Sequence, residues 1–336
     1  MSKDIDRILN EAAAGRPITK PEAVKLLALP EDSLDAATLR ATANAVSRRR
    51  FNNKGYYFGQ VGMVMGPCEA DCSFCWYGKS HTQVQPSILE YDEIVLRCKQ
   101  FAAGGASGIY LITMHRVKFD WYLDICARLR HSVPPNVELL ANVGDISLDQ
   151  WKELRSAGIT AAYHASRLRE GADTRLRPET RRKTIENLIE AGIKLHTQCE
   201  PIGPEHTPEE LADQMWLGVE LPCELHGVLQ RFPVPGTQLF SKGQVSMARL
   251  SQILAVIALA TLAKREIKCL SIMLTSYVGL MSGANTIYAE SGDPEPEPET
   301  SSQEKGFTSA MWRQSNDNKI TTAHCREMLA ASGYKF

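Results

Sequence analysis

The chain has 336 residues, of which 43% are apolar and 23% are charged, and its formal net charge is -1. This composition is typical of globular proteins, and the near-neutral charge argues against a general attraction to nucleic acid or to an anionic membrane surface. The polar, amphipathic N-terminus does not match a signal peptide, and no apolar run reaches the ~18 to 20 residues of a membrane helix. We therefore expect a cytoplasmic protein that binds neither nucleic acid nor membrane.

The beginning of the chain is predicted to be helical. Residues 2–15 have apolar side chains at helical spacing and end at Gly15. Thr19 with Pro21 marks the start of a second helix, and a third helical pattern covers residues 33–51. We expect residues 1–56 to form a helical extension with little chemistry of its own.

From residue 57, short apolar runs alternate with helical patterns. The predicted strands cover residues 57–65, 107–115, 137–144, 159–166, 194–203, 225–235, 268–276 and 284–291. Strands that alternate with helices are typical of parallel βα units with right-handed crossovers. Eight such units over residues 57–290 predict an α/β fold, a (β/α)8 barrel of the TIM type. A six-unit open barrel is the alternative if the last two strands are misassigned.

Residues 291–336 contain a segment rich in proline and glutamate, "GDPEPEPETSSQEKGF" (292–307), followed by a helical pattern over residues 321–333. Such a composition favours an extended or mobile chain. A solvated linker is the simplest interpretation of this C-terminal tail, and a flap over the mouth of the barrel is the alternative.

Three of the nine cysteines stand close together, at Cys68, Cys72 and Cys75. The odd count and the scattered positions of the others favour buried thiols in a reducing compartment over disulfides. Three thiolates on one short loop can bind three irons of a [4Fe–4S] cluster and leave the fourth iron open to a small-molecule ligand. A structural zinc would need a fourth ligand, for which His81 is nearest, and simple free thiols are the other alternative.

The C-x3-C-x2-C spacing, with Phe74 before the last cysteine and a strand before the first, resembles the signature of the radical S-adenosylmethionine (SAM) superfamily. This resemblance implies that SAM binds the open iron and that the reduced cluster splits it to methionine and a 5′-deoxyadenosyl radical, which abstracts hydrogen from a substrate. It also implies a flavodoxin- or ferredoxin-type reductant.

The resemblance points to the biotin-synthase-like branch of that superfamily, which includes biotin synthase, methylornithine synthase, the [FeFe]-hydrogenase maturase and the [Fe]-hydrogenase cofactor-biosynthesis proteins. Segments such as "CEPIGPEHTPEEL" (199–211) and "SGANTIYAESG" (282–292) are most similar to the last of these groups.

The resemblance implies a set of SAM-binding residues. Phe74 matches the aromatic residue that packs near the adenine, and Glu170 matches the acidic residue at the ribose or amino group. Arg181 matches the arginine that holds the SAM carboxylate, because a guanidinium can donate two parallel hydrogen bonds to it. Arg182 is the alternative if the register shifts by one residue.

Two pairs of residues at strand ends complete this set. Thr113 and Met114 end the second predicted strand, where the backbone or the threonine hydroxyl would contact the methionine amino group. Ile202 and Gly203 follow the fifth strand and match a turn that contacts the adenine.

Polar residues on otherwise apolar predicted strands indicate a substrate pocket, because a polar side chain inside a barrel must be paired or must face a ligand. Seven residues near the same ends of their strands fit this description: His115, Asn142, His164, Gln198, Glu200, Arg231 and Ser276. For any single histidine, a satisfied core or rim position is an equally good interpretation. Together these residues predict a small polar substrate, with carboxylate or amine groups that Arg231 and Glu200 could bind.

Three functions stay open at this point. The leading hypothesis is a radical SAM enzyme that rearranges or fragments a small molecule in the biosynthesis of a cofactor or an amino-acid-derived metabolite. The second is sulfur insertion of the biotin or lipoyl synthase kind, which needs a sulfur source such as a second cluster. Predicted strands two and three lack cysteine, and Cys199 with Cys269 provides too few thiolates, so the sequence disfavours it. The third is a noncatalytic protein that keeps an iron–sulfur cluster for structure or sensing.

Overall fold

The computed structural model of the protein describes residues 3–273, 275–292 and 320–336. Three helices come first: α1 (Lys3–Ala13), α2 (Lys20–Leu27) and α3 (Leu34–Phe51). The Thr19 side chain forms a capping box with Glu22 at the start of α2, and the Ser33 side chain caps α3. These side chains satisfy backbone N–H groups that a first helical turn leaves without partners, which explains why the helices start there.

Eight parallel strands close into a barrel in the part of the chain that the structure describes. They are β1 (Tyr56–Gly62), β4 (Gly108–Ile112), β5 (Glu138–Asn142), β6 (Ile159–Tyr163), β7 (Lys194–Ile202), β8 (Cys223–Gln230), β9 (Cys269–Met273) and β10 (Thr286–Ala289), while β2 (Val64–Met65) and β3 (Ser87–Ile88) form a separate antiparallel ribbon. The first strand, β1, pairs with β4 on one side and with β10 on the other. The predicted (β/α)8 barrel is confirmed, and the six-unit open barrel is wrong.

Helices cover the outside of this barrel. They are α4 (Tyr91–Ala103), α5 (Phe119–Ser132), α6 (Leu148–Ser156), α7 (Pro178–Glu190), α8 (Pro208–Glu220), α9 (Met247–Thr261), α10 (Tyr277–Leu280) and α11 (Thr322–Ala331). The amide of Gln252 on α9 donates hydrogen bonds to the carbonyls of Leu26 and Leu29 at 2.9 and 3.0 Å. Gln252 is fully buried, so it fastens the end of α2 to the barrel through carbonyls that the helix end leaves free.

Side chains alternate between the inside and the outside of the barrel wall, as the period of a β-strand requires. One buried cluster fills the inside and consists of Phe58, Tyr110, Leu140, Ala161, Leu225, Cys269 and Tyr288. The main apolar core lies outside, between the strands and the helices. Above the inner cluster, toward the C-terminal ends of the strands, inward positions such as Gln60 and Gln198 are polar. This change in polarity marks the end of the barrel where a cavity opens.

The C-terminal part of the chain is described only in part. The helix α11 lies where the sequence predicted it, and Ser291 forms a backbone bridge to Thr321. Residues 293–319 lie outside the described residues, and they include all of the Pro/Glu-rich segment except its first residue. The choice between linker and flap therefore falls outside the described residues as well. The division at residues 56 and 290 stays a prediction. Among the described helices, none is long and apolar enough to cross a membrane.

His226 makes the stability of the fold sensitive to acid. Burial in the outer core lowers its pKa from 6.5 to about 3. Between these two pH values the unfolded chain binds a proton at His226 and the folded chain does not. The contribution of the neutral His226 to the free energy of unfolding is therefore fully present above pH 6.5 and is lost as the pH falls toward 3. We expect His226→Leu to reduce the loss of unfolding free energy between pH 7 and pH 5 by about 2 kcal/mol.

Chemical denaturation at both pH values measures this difference. His324→Leu is the matched control, because His324 is exposed on α11. An equal change of the pH dependence in the two variants would contradict the assignment to His226.

Candidate active site

The three cysteines lie on a compact loop that follows β1 and β2 at the C-terminal mouth of the barrel. Backbone hydrogen bonds close this cysteine loop, residues 68–79: Cys68 N donates to Tyr77 O at 2.7 Å, and Lys79 N donates to Cys68 O at 3.1 Å. Within it, Cys75 N donates to Cys72 O at 3.0 Å, and the two side chains belong to the same small apolar cluster. The loop therefore has a backbone conformation that its own hydrogen bonds define.

The cysteine loop is docked on the segment that follows β6. Ser73 N donates to Asp173 O, and Arg175 N donates to Ala70 O, each at 2.9 Å. Asp71 adds a buried carboxylate, which accepts a hydrogen bond from Ser80 N at 2.8 Å and pairs with Arg175 at 2.8 Å. Burial raises the pKa of Asp71, but the Ser80 hydrogen bonds and the nearby arginine outweigh it, so the pKa is lowered. The ionised carboxylate thus braces the loop.

The donor set of this loop fits a cluster with one open iron. Cys68, Cys72 and Cys75 gather with Ala70, Phe74 and Leu176 in a small apolar cluster. Burial raises the pKa of the Cys72 thiol and raises that of Cys75 to about 11, so both release a proton when they bind iron. Three soft thiolates in an apolar surround suit an iron–sulfur cluster.

His81 does not complete a tetrahedral zinc site in this structure. Its Nε2 lies 2.7 Å from the carbonyl oxygen of Cys75, and its Nδ1 lies 3.2 Å from the Ser80 hydroxyl. Both ring nitrogens are therefore engaged beside the loop. Among the residues that the structure describes, no group of three or more His, Cys, Asp or Glu side chains is arranged around a single metal ion.

A cavity of about 280 Å³ opens beside the cysteine loop. Its wall contains the three cysteines and many of the residues that the sequence selected: Phe74, Thr113, Met114, His115, Asn142, Arg181, Gln198, Glu200 and Arg231. It also contains residues that the sequence interpretation missed: Gln60, Tyr110, Tyr163, Arg167, Gln230, Met273 and Tyr288. The cavity is thus framed by the ends of most barrel strands, with the cysteine thiols on one side.

Arg167 is the most important of the missed residues. Its Nε lies 3.0 Å from Glu200 Oε1, and its guanidinium carbon lies 6.0 Å from the centre of the Phe74 ring. Burial lowers the pKa of Arg167, but Glu200, Cys72 and Glu170 outweigh it, and the pKa is raised. A fixed cation therefore stands next to the cysteine loop.

Arg181 lies in the same wall, but its hydrogen bonds go to the protein. Its Nε and Nη2 donate to the carbonyl of Ala165 at 3.2 and 3.0 Å, and its Nη1 pairs with Asp145 at 3.1 Å. His164 Nε2 lies 3.1 Å from the same carboxylate oxygen, and burial lowers the pKa of His164 to about 3. Asp145 thus holds a buried arginine and a neutral histidine together behind the cavity.

Arg231 is also engaged by the protein, although the sequence suggested it as a substrate ligand. Its Nη1 and Nη2 pair with the two carboxylate oxygens of Glu205, and Nη2 donates to Gly243 O at 3.2 Å. A Cβ at Gly203 would meet the guanidinium within 2.5 Å, so the glycine leaves room for Arg231 in this position. The arginine ties together the segments that follow β7 and β8.

Five selected residues are absent from the described cavity wall: Glu170, Ile202, Gly203, His164 and Ser276. Glu170 lies behind it and accepts hydrogen bonds from Arg167 N at 3.0 Å and from the Thr174 hydroxyl at 2.7 Å. Ser276 caps the short helix α10 through Gly279 N. Its strand ends at Met273, which explains why the predicted inward position does not extend to it. The proposed ligand contacts of these residues stay predictions.

Two missed residues could have been found by the criterion that selected Gln198. Gln60 is the polar residue of an otherwise apolar strand, and Tyr110 has an inward position with a polar tip. Gln60 Nε2, Gln198 Oε1 and the Tyr163 hydroxyl are buried atoms without a hydrogen-bond partner in the structure. Buried polar atoms are normally paired, so these atoms mark the part of the cavity where a polar ligand would bind.

The remaining cysteines give no second group of thiols in the cavity wall. Cys199 packs in the outer core, whereas Cys269 belongs to the inner cluster, so they lie on opposite faces of the barrel wall. Strand β8 also separates their two strands. The pair that the sequence considered is therefore not brought together.

Several known proteins are similar to this chain in amino-acid sequence. No protein-family model matches the chain. A biotin synthase of Clostridioides difficile is 30% identical over 171 residues, which are 49% of this chain and 52% of the relative. A biotin synthase of a Nocardioides species is 26% identical over 267 residues, which are 76% of this chain and 70% of the relative. The chain thus spans only about half of the first relative's length.

Methylornithine synthase is similar in structure. Its crystal structure superposes with a TM-score of 0.81 over 98% of this chain and 96% of that protein, at 16% sequence identity. At this identity the likeness concerns the fold. Taken together, the biotin synthase relatives, this fold and the cysteine loop at the barrel mouth support an assignment of the chain to the radical SAM superfamily, in its biotin-synthase-like branch.

Proposed function

We propose that the protein is a radical SAM enzyme that removes a hydrogen atom from a small polar substrate and so starts its rearrangement or fragmentation. The products would belong to the biosynthesis of a cofactor or an amino-acid-derived metabolite. One observation carries the proposal: the three cysteine thiols and the unpartnered polar atoms of Gln60 and Gln198 line the same cavity. A cluster and a substrate held there would be neighbours.

Membership of the superfamily implies a [4Fe–4S] cluster and SAM as cofactors. A reduced cluster bound at the cysteine loop would supply the electron for the cleavage of SAM, and the resulting 5′-deoxyadenosyl group would abstract hydrogen from the substrate. Cys68, Cys72 and Cys75 would hold three of its irons. Phe74 would offer an aromatic face on the loop, and Arg167, next to that ring, would offer a buried cation for a carboxylate.

The chain's own contribution is to orient the substrate and to exclude water. Gln60 and Gln198 are each only 3% exposed, so their free amide atoms can gain hydrogen bonds that water does not already provide. Gln198 is held in place by the Ser271 and Tyr288 hydroxyls at 3.0 and 3.2 Å. Glu200 and Arg231, which the sequence suggested for substrate charges, are already ion-paired. We therefore infer that amide and hydroxyl groups dominate substrate recognition.

Sulfur insertion is less well supported as a proposal. Such a reaction consumes a sulfur atom, which a second cluster would have to provide. Three cysteines line the cavity, and all three belong to the loop that would hold the first cluster. We also propose a flavodoxin- or ferredoxin-type reductant as the partner that supplies the electron.

The cluster assignment predicts different outcomes for two cysteine substitutions. Anaerobically reconstituted protein should bind about four irons per chain. Cys72→Ala should bind less than about one, because a cubane held by two thiolates is labile. Cys98→Ala is the matched control, because Cys98 is buried on α4 and is absent from the cavity wall. Iron and sulfide analysis gives the result.

Equal iron binding by Cys72→Ala and Cys98→Ala would contradict the cluster site. An iron content well above four per chain would instead support a second cluster and sulfur insertion, provided that iron remains bound in every single-cysteine variant of the loop.

The hydrogen-abstraction proposal is tested with deuterated candidate substrates. Reduced protein with SAM should form 5′-deoxyadenosine, and the correct substrate should pass deuterium into it. Gln198→Leu should weaken this transfer at least about tenfold, because a buried hydrogen bond to the substrate is lost, whereas Gln85→Leu changes an exposed residue. Mass spectrometry of 5′-deoxyadenosine measures the transfer. Absence of 5′-deoxyadenosine from cluster-loaded protein would favour the noncatalytic alternative.

A further inference from the structure

A chain of hydrogen bonds leads from the cavity through the barrel interior to the opposite face. Tyr110 lines the cavity, and its hydroxyl oxygen lies 2.6 Å from His196 Nδ1. His196 Nε2 lies 3.2 Å from Glu224 Oε2, and Lys194 Nζ lies 2.9 Å from Glu224 Oε1. Glu224 and Lys194 line a second cavity, at the N-terminal ends of the strands. Three side chains thus connect the two ends of the barrel.

The chemistry of these groups fixes the position of each proton. Burial raises the pKa of Glu224, but hydrogen bonds from His196 and Lys194 outweigh it and lower the pKa to about 2. The carboxylate can therefore only accept, so His196 Nε2 must carry the hydrogen. Burial lowers the pKa of His196, which keeps the ring neutral and leaves Nδ1 as an acceptor. Tyr110 then donates its proton to Nδ1, and burial raises the pKa of the Tyr110 phenol, so the free hydroxyl keeps its proton. The hydroxyl also lies within hydrogen-bonding reach of Tyr288, so a substrate in the cavity would use the remaining acceptor capacity of the Tyr110 oxygen.

Burying the polar atoms of His196 in the apolar interior of the barrel costs free energy. His196 is fully buried, and its ring centre lies 5.6 Å from that of Phe58 in the apolar inner cluster. An apolar side chain would fill this layer without the cost of burying polar atoms. Neither the predicted cluster ligands nor the predicted SAM contacts include Tyr110, His196 or Glu224, so the group has no assigned role.

We propose that Tyr110 is the base that removes a proton from the substrate in the cavity, and that His196 and Glu224 form the relay that receives the phenol proton. This inference rests on the proposed function only in assuming that a substrate binds in the cavity. Tyr110 would act as a catalytic residue, and His196 and Glu224 as positioning residues. The three residues would share the work as in a catalytic triad: Tyr110 reacts with the substrate, His196 receives the proton, and the Glu224 carboxylate orients the histidine.

The step balances without an electron donor. An O–H or N–H bond of the substrate breaks, and a new bond forms between that hydrogen and the Tyr110 oxygen. At the same time the original Tyr110 O–H bond breaks, and an N–H bond forms at His196 Nδ1. The electron pair of the broken substrate bond stays on the substrate atom. The imidazolium, held beside the Glu224 carboxylate, keeps the proton until it returns through Tyr110 to the product.

Other candidate bases near the cavity are less available. Glu200 is paired with Arg167, and Asp145 is shared by Arg181 and His164. His115 lines the cavity and lies 4.0 Å from Asp145, so it is the competing base. Its substitution is therefore included in the test.

The first measurement needs no substrate. In full-length, cluster-loaded protein with ring-¹⁵N-labelled histidine, His196→Gln identifies the His196 signals. We expect a protonated Nε2 and an unprotonated, hydrogen-bonded Nδ1. Tyr110→Phe should shift the Nδ1 signal alone, whereas Tyr163→Phe removes a cavity hydroxyl not bonded to His196 and should shift neither. A proton found on Nδ1 would overturn the relay.

The second measurement uses any substrate that passes deuterium into 5′-deoxyadenosine. Tyr110→Phe should keep that transfer and lower the ratio of final product to 5′-deoxyadenosine about a hundredfold or more. An unchanged ratio, or a comparable loss in His115→Gln and none in Tyr110→Phe, would overturn the proposal. If no compound passes deuterium, the proposed function fails, and the histidine signals still decide on the relay.

The pH profile separates proton transfer from simple positioning. The charged and titratable groups that face His196 are Tyr110 from β4, Glu138 from β5, Glu224 from β8 and Lys268 before β9. The product ratio should fall in acid as His196 becomes protonated. Glu224→Gln keeps a hydrogen-bond acceptor but removes the anion, so this fall should move to lower pH. An unchanged profile would contradict a role for the Glu224 charge.

Discussion

Closure of the barrel through β1 is the constraint on which the site depends. Tyr56 to Gly59 of β1 pair with β10, and Phe58 to Gly62 pair with β4. Because all eight strands of the described barrel run in the same direction, their C-terminal ends meet at one mouth. The cysteine loop after β1 therefore faces Arg167 after β6 and Glu200 at the end of β7, although about a hundred residues or more separate them in the sequence.

Paired charges give the cavity its electrostatic character. Arg167, Arg181 and Arg231 each meet a carboxylate, from Glu200, Asp145 and Glu205 respectively. Burying a charge costs a large free energy unless a partner offsets it, so such pairs are what a closed polar cavity requires. These ion pairs hold the segments at the strand ends together. The cavity atoms without a hydrogen-bond partner are then amide and hydroxyl atoms, from Gln60, Gln198 and Tyr163. A bound carboxylate would have to share an arginine with its present partner.

The repeated βα pattern was sufficient to predict the barrel, because hydrophobic periodicity and helix caps are local properties of the chain. The same holds for the cysteine loop, whose spacing is written in eleven consecutive residues, 68–78. Prediction was weaker for the polar cavity residues. Ser276 and His164 satisfied the same pattern as Gln198, yet one caps a helix and the other pairs with Asp145 behind the wall. A polar residue near a strand end shows only that a partner is needed, not which partner it has.

The sequence by itself determined the order of the elements, the inward and outward faces of the strands, and the close spacing of the three cysteines on one loop. These follow from spacings of two to about four residues, which short-range geometry converts directly into structure. Only the tertiary structure decided that Arg231 is held by Glu205, that Cys199 and Cys269 lie on opposite faces, and that Tyr110, His196 and Glu224 form one hydrogen-bonded chain. These contacts join different strands, so they depend on strand register and barrel closure, which no local pattern encodes.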